Sequence, residues 1–165
     1  MPQDIERETT FLLRSIPTNI DGWKKEYTKD TYLPPYADHP MIRLRKRGET
    51  MFMTKKYPKV PGDFSTMVEE TIHLLDYEYE FFESNLTGNV LEKNRYSKKF
   101  DGYVIEIDEY LSDLAPLTVM DIEWKDTPQK IDLTAYDIVK EITQQNNLAA
   151  GKLAGKSYQE IKPFL

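Results

Sequence analysis

Apolar and polar residues alternate along much of the chain up to residue 124, as expected for β-strands that bury one face. In a strand, every second side chain points to the same face of the sheet. The alternation predicts strands over 4–13, 24–33, 41–47, 50–56, 67–74, 89–96, 102–110 and 117–124. Most of the connections are short and carry the turn residues glycine, proline or aspartate. This arrangement predicts an antiparallel, barrel-like sheet.

Three segments instead have the spacing of helices. Residues 76–84 place aromatic side chains on one side, with Asp76 near the N-cap position. Residues 131–141 and 157–164 also repeat apolar positions with a helical period. The predicted fold class is therefore α+β: an eight-stranded antiparallel β-barrel with flanking helices, forming one domain over residues 1–165.

Composition narrows the possible functions of this 165-residue chain. There is no cysteine and there are only two histidines, which excludes disulfides and thiolate metal sites and disfavours a typical zinc site. The formal charge of −6 disfavours broad nucleic-acid binding. No long apolar run and no signal-peptide core are visible, so we expect a cytoplasmic protein with no membrane partner.

Acidic residues recur in pairs at a spacing of two, which places both carboxylates on one face of a strand. The pairs are Glu6 with Glu8, Glu106 with Asp108, and Asp121 with Glu123. Clusters of hard oxygen ligands suit Mg²⁺ or Mn²⁺, ions that often share their coordination with substrate phosphates.

Basic residues show the same spacing on other strands, in Arg43 with Arg45 and Lys93 with Arg95, while Lys56 supplies a further cation. Arginine forks and lysine ammonium groups suit phosphate oxygens. The opposite faces hold apolar residues expected to pack outward under helices, namely Leu44, Ile107 and Ile122. A barrel lined with charge explains both faces, whereas the alternative is a set of solvated strand faces with weak surface ion pairs.

The order of these motifs resembles the CYTH family, also called the triphosphate tunnel metalloenzymes. The family's ExExK motif followed by an aromatic is similar to residues 6–11 (ERETTF), where Thr10 stands at the lysine position. Its RxRxxG and TxK motifs resemble residues 43–48 and 54–56, and its KxRY strand resembles residues 93–96. The later acidic strands resemble residues 106–108 and 120–124, and the middle-strand ExE pair is matched only by Glu69, with Met67 at its first position.

The resemblance implies an eight-stranded tunnel that binds a triphosphate with the help of Mg²⁺ or Mn²⁺. It implies metal ligation first by Glu6, Glu8 and Glu123, and then by Asp121 and Asp108. The implied catalytic residues are Glu6, Glu8, Lys56 and Arg95. The implied substrate-binding residues are Arg43, Arg45, Lys56, Lys93, Arg95 and Lys156. Lys156, together with Lys152 and Tyr158, is expected either over the tunnel mouth or on an ordinary helix surface.

The predicted activity is metal-dependent hydrolysis of inorganic triphosphate or of a small triphosphorylated compound. The expected partner is thus a triphosphate-containing small molecule, bound by a monomer or homodimer. Two further enzyme functions stay open, a class IV-type adenylyl cyclase and a thiamine triphosphatase. From another functional class, a non-catalytic module that binds polyphosphate or a phosphorylated ligand also stays open. Cyclic AMP formed from ATP identifies the cyclase, and triphosphate binding without phosphate release identifies the binding module.

Overall fold

The computed structural model describes residues 4–165, which form nine strands in one antiparallel sheet together with short helices. The strands are β1 (Asp4–Leu13), β2 (Lys24–Leu33), β3 (Ile42–Arg47), β4 (Thr50–Val60), β5 (Asp63–Leu74), β6 (Asn89–Phe100), β7 (Tyr103–Tyr110), β8 (Thr118–Trp124) and β9 (Ile138–Glu141). The α-helices are α1 (Asp76–Asn85), α2 (Ala150–Leu153) and α3 (Tyr158–Ile161). No helix within these residues is long and apolar enough to cross a membrane.

Eight of the strands close into a barrel in the order β5-β4-β3-β2-β6-β7-β8-β1. Closure comes from β1 and β5, which pair from Asp4 opposite Glu69 to Arg7 opposite Thr66. Farther along the same edge of β1, Phe11 pairs instead with Glu141 of β9. The predicted eight-stranded antiparallel barrel is confirmed, and β9 is an addition to it.

The strands β4 and β5 are longer than predicted because they extend into the segment between the strands predicted over 50–56 and 67–74. They meet at a tight turn in which Gly62 has a φ of +86°, a backbone conformation that glycine adopts without strain.

The helix predicted over residues 131–141 is wrong. This segment crosses the outside of the barrel without regular structure and then forms β9. Its apolar residues Ile131, Leu133, Tyr136 and Ile138 pack against the buried outer face of β7 and β8. Packing onto that face and pairing with the free edge of β1 together outweigh the weak helical period.

Apolar residues on the outward faces of the strands form the core, as predicted. Leu44 is fully buried and packs with Tyr79 of α1. Ile107 and Ile122 are also buried, but residues 131–138 cover them rather than a helix. Because the apolar faces point outward, the charged faces are left to line the interior of the barrel.

A C-terminal strap, defined here as residues 142–151, covers one end of the barrel. Its Leu148 packs with Tyr32, Tyr110 and Val119 at that end of the lumen. Two polar contacts fasten the strap: the Thr10 amide donates to Thr143 Oγ1 at 3.0 Å, and the Phe64 amide donates to Gln144 Oε1 at 3.2 Å. The strap therefore closes the lumen on the side of these apolar residues.

Candidate active site

The barrel encloses a cavity of about 270 Å³ whose lining includes thirteen charged side chains. Among residues 4–165, its basic lining residues are Arg43, Arg45, Arg47, Lys56, Lys93 and Arg95. Its acidic lining residues are Glu6, Glu8, Glu69, Glu106, Asp108, Asp121 and Glu123. Every charged pair singled out in the sequence thus reaches one cavity, because each pair occupies alternate positions of a strand whose other face is in the core.

Lys156 is the exception among the predicted site residues. It is exposed after α2 and is not one of the described residues that line the cavity. Lys152 forms an ion pair with Asp38 at 2.8 Å instead of reaching into the lumen. The strap lines the cavity up to Gly151, whereas Lys152 and Lys156, which follow it, do not.

Asp108 organises one half of the basic lining. Its carboxylate accepts hydrogen bonds from Arg95 Nε and NH2, both at 2.6 Å, and from Lys93 Nζ at 2.5 Å. Burial raises the pKa of Asp108, but the attraction of Arg95 and Lys93 holds that pKa well below its usual range. Burial and the neighbouring Arg95 lower the pKa of Lys93. The result is a buried group in which two cations share one carboxylate.

Arg43 stands at the other side of the cavity with spare hydrogen-bonding capacity. Its NH2 lies 3.8 Å from Glu69 Oε2. Its Nε is buried and has no hydrogen-bond partner within the described part of the chain. A buried donor without a partner costs free energy, so this guanidinium is suited to receiving an anionic oxygen.

Lys56 links two of the predicted metal ligands. Its Nζ lies 2.7 Å from Glu6 Oε2 and 3.2 Å from Glu8 Oε2. Burial lowers the pKa of Lys56, but Glu8 and Glu6 together raise it well above its usual range. The space between Glu6 and Glu8 therefore accommodates a positive charge.

Two further acids lie where negative charge is in excess. Burial, with Glu6 and Glu106 nearby, raises the pKa of Glu123 to about 7. Burial, Glu8 and Asp108 raise the pKa of Asp121 well above its usual range, although Thr10 Oγ1 donates a 2.7 Å hydrogen bond to its Oδ1. Burial is the largest cause of both shifts, and within residues 4–165 neither carboxylate forms an ion pair with a basic side chain.

The acidic side fits a hard divalent cation in charge and in donor type. Glu6, Glu8 and Glu123 all line the cavity, and Glu8 and Glu123 are direct partners in the pairing of β1 with β8. As the side chains stand, no three carboxylate or imidazole groups within residues 4–165 are assembled around one point. An ion held by Glu6, Glu8 and Glu123 would therefore need these side chains to rotate closer together.

Two residues at this site are absent from the predicted site residues, although Arg47 belongs to the same alternating row as Arg43 and Arg45. Asp30 of β2 is fully buried and accepts two hydrogen bonds from Arg45. Arg47 lines the cavity and contacts Glu26 and Glu106. Arg47 continues the alternation of Arg43 and Arg45, so period two alone was a sufficient signal for it. No comparable signal marked Asp30, because its partner lies on another strand.

In the presence of a chelator, which removes bound metal, the raised pKa of Glu123 should make the protein less stable as pH rises. Between the usual glutamate pKa of about 4.3 and the folded value of about 7, the folded state holds a proton that the unfolded state has lost. Wild-type stability should therefore fall as pH rises through this window. In the Glu123→Gln variant this contribution is absent, so its stability relative to wild type should be higher at pH 8 than at pH 5. Urea unfolding at both values checks this, with the exposed Glu80→Gln as control; an equal difference at both pH values contradicts it.

Two comparisons, one of sequences and one of structures, relate the chain to known proteins. No profile of a known protein family matches the sequence. An inorganic triphosphatase from Nitrosomonas europaea is 33% identical over 121 residues, covering 72% of this chain and 76% of the relative. The crystal structure of an inorganic triphosphatase superposes with a TM-score of 0.62 at 23% identity, over 92% of this chain and 95% of that one.

Structures named for a second activity share the fold as well. A putative adenylate cyclase from Bacillus halodurans has a TM-score of 0.59 at 13% identity, over 76% of this chain and 83% of that one. A putative adenylyl cyclase from Hippeastrum, described as having a dominant triphosphatase activity, has a TM-score of 0.54 at 13% identity, over 73% of this chain and 80% of that one.

A closed eight-stranded barrel with an interior of interlocked acids and bases defines a charged-tunnel protein of the triphosphatase type. More specifically, the chain belongs to the CYTH family of triphosphate tunnel metalloenzymes, to which the inorganic triphosphatase relative connects it. The family assignment made from the motifs is confirmed.

Proposed function

We propose that this protein hydrolyses inorganic triphosphate to pyrophosphate and phosphate in its barrel cavity, with Mg²⁺ or Mn²⁺ as cofactor. The observation that carries the proposal is the convergence of basic side chains from β3, β4 and β6 on one cavity that also holds an under-neutralised acidic side. The 33% identical relative, an inorganic triphosphatase, supports the same reaction.

The balance of charge in the cavity supports the proposed need for a divalent cation. The acidic lining residues outnumber the basic ones among residues 4–165, and most of the basic ones already contact a carboxylate. A triphosphate adds several further negative charges to the same low-dielectric space. Glu6, Glu8 and Glu123 would hold the ion, with Asp121 and Asp108 as second-rank acidic positions, and the ion would supply charge neutralisation at the phosphate oxygens and activation of water.

The basic residues would then make the protein's own contribution to phosphoryl transfer. Arg43, Arg45, Lys93 and Arg95, which all line the cavity, would hold the phosphate chain in place. Once Glu6 and Glu8 turn away, Lys56 would form its ion pair with the substrate phosphates instead. Because this reaction depends on positioning and electrostatic stabilisation, such a fixed set of cations is sufficient protein machinery.

A substrate screen tests the proposal against its alternatives. Phosphate release should be fastest from inorganic triphosphate, should require Mg²⁺ or Mn²⁺, and should stop on addition of chelator. ATP, thiamine triphosphate and longer polyphosphate serve as competing substrates, and cyclic AMP is measured alongside phosphate. Faster turnover of an organic triphosphate, or cyclic AMP as the main product, overturns the assigned substrate; tight triphosphate binding with no product under any metal identifies a binding module.

Thr10 makes the order of substrates in this screen informative. The family's lysine position is occupied here by a hydroxyl that donates to Asp121, so one cation is missing from the cavity.

Several expectations stay predictions. They are the roles of the individual site residues, the single domain over residues 1–165, a cytoplasmic location and a monomeric or homodimeric state.

A further inference from the structure

Asp30 lies behind the charged lining rather than in it. It stands directly opposite Arg45 in the pairing of β2 with β3, and it is fully buried. Its Oδ1 accepts from Arg45 Nε at 2.5 Å, and its Oδ2 accepts from Arg45 NH2 at 2.6 Å. Asp30 is not one of the described residues that line the cavity, so it does not reach a ligand there.

The geometry of this pair fixes which edge of Arg45 remains for a ligand. Both oxygens of Asp30 bond to one side of the guanidinium, and the Phe52 ring centroid lies 5.9 Å from its Cζ. Within residues 4–165 the NH1 nitrogen has no hydrogen-bond partner, while the Arg45 side chain lines the cavity. NH1 is therefore the donor that Arg45 presents to a bound anion.

Arg95 is held by an aspartate in the same way as Arg45, but it has no free nitrogen at its other edge. Asp108 holds Arg95 through the same two nitrogens, Nε and NH2, but the NH1 of Arg95 also bonds to Glu106. Of the two arginines held by an aspartate fork, Arg45 is the one whose remaining nitrogen is not engaged by a second carboxylate.

The charge of Asp30 argues against a role in attracting the substrate. Burial raises the pKa of Asp30, but Arg45 lowers it to about 2, so the carboxylate is ionised at neutral pH. An ionised carboxylate reduces the positive potential at the cavity and opposes the approach of a phosphate. Its benefit lies in orientation, because a buried guanidinium without a fixed partner is costly and poorly placed.

We propose that Asp30 is a positioning residue that holds Arg45 side-on, so that NH1 faces the phosphate chain. This inference rests on the proposed triphosphatase function and adds to it a residue outside the family motifs found in the sequence. A donor fixed before the reaction stabilises developing charge without reorganisation, which a mobile side chain does not do.

A double-mutant cycle on kcat/KM for inorganic triphosphate tests the proposal, using wild type, Asp30→Asn, Arg45→Lys and the double variant. Asp30→Asn should lower kcat/KM by about 10- to 100-fold, as losing an outer partner commonly does, with kcat falling more than KM rises. In the Arg45→Lys background, the same substitution should change kcat/KM by less than about twofold. Equal losses in both backgrounds mean a general structural role and overturn the proposal.

Two safeguards keep the outcome decisive. If Asp30→Asn does not fold, judged by thermal unfolding, Asp30→Glu replaces it, because this substitution keeps the charge while displacing the carboxylate. A wild-type kcat and KM for a folded Asp30→Glu overturns the proposal.

If wild type does not hydrolyse triphosphate, the proposed function fails first. The cycle is then measured on the dissociation constant of triphosphate by calorimetry, where the same non-additivity is expected and additivity again contradicts the role of Asp30.

Discussion

Glu6→Gln and Glu8→Gln are each expected to reduce metal-dependent phosphate release from inorganic triphosphate by at least about a hundredfold. Glutamine keeps the shape of the side chain but lacks the negative charge that a hard divalent cation requires. Each substitution also leaves Lys56 with a single carboxylate partner instead of two. Steady-state phosphate release at saturating Mg²⁺ or Mn²⁺ measures the effect.

The fold should survive both substitutions, because Glu6 and Glu8 are only partly buried and face a polar cavity. Thermal unfolding and circular dichroism verify this. Glu80→Gln on the exposed face of α1 is the matched control and should retain full activity. Undiminished turnover in both folded cavity variants refutes the assigned metal site.

Of the substitutions at the cavity, Asp108→Asn is expected to lower the free energy of unfolding the most, by about 3–5 kcal/mol. The substitution removes the negative charge that Lys93 and Arg95 share and presents an amide N–H group to buried donors. Such a loss is a large part of the 5–15 kcal/mol by which domains are usually stable. The free energy of unfolding in urea at pH 7 measures it.

The pH dependence of this loss provides an internal check. Because the pKa of Asp108 is lowered in the folded state, its stabilising contribution is present above the unfolded pKa of about 3.9 and is lost as pH falls further. The difference between wild type and Asp108→Asn should therefore shrink below about pH 4. Asp113→Asn, at an exposed position, should change stability by no more than about 0.5 kcal/mol at either pH. If Asp108→Asn is as stable as Asp113→Asn, the buried charge network around Asp108 is contradicted.

The lining of the barrel was predictable because its signal is local. Glu6 with Glu8, or Arg43 with Arg45, are two residues apart, and a strand of any tilt or register places them on one face. The apolar residues between them, such as Leu44, fix which face points outward. Period two thus predicted both the barrel and the charged interior before any pairing was known.

Features that depend on pairing between distant segments were not predictable in this way. The bond from Arg45 to Asp30 requires the register of β2 with β3, which the sequence pattern does not specify. The path of residues 131–138 depends on an apolar barrel face and a free edge of β1 created elsewhere in the chain. The position of Lys156 likewise depends on where the C-terminal strap crosses the barrel.

Phosphorus-31 spectra of inorganic triphosphate incubated with the wild-type protein test the central claim most directly. With Mg²⁺ or Mn²⁺ added in turn and removed by chelator before recording, the triphosphate signals should give way to pyrophosphate and phosphate in equal amounts. When chelator is present from the start, the spectrum should not change. Triphosphate that stays intact with both metals, or that is hydrolysed equally well in chelator, contradicts a metal-dependent triphosphatase in this cavity.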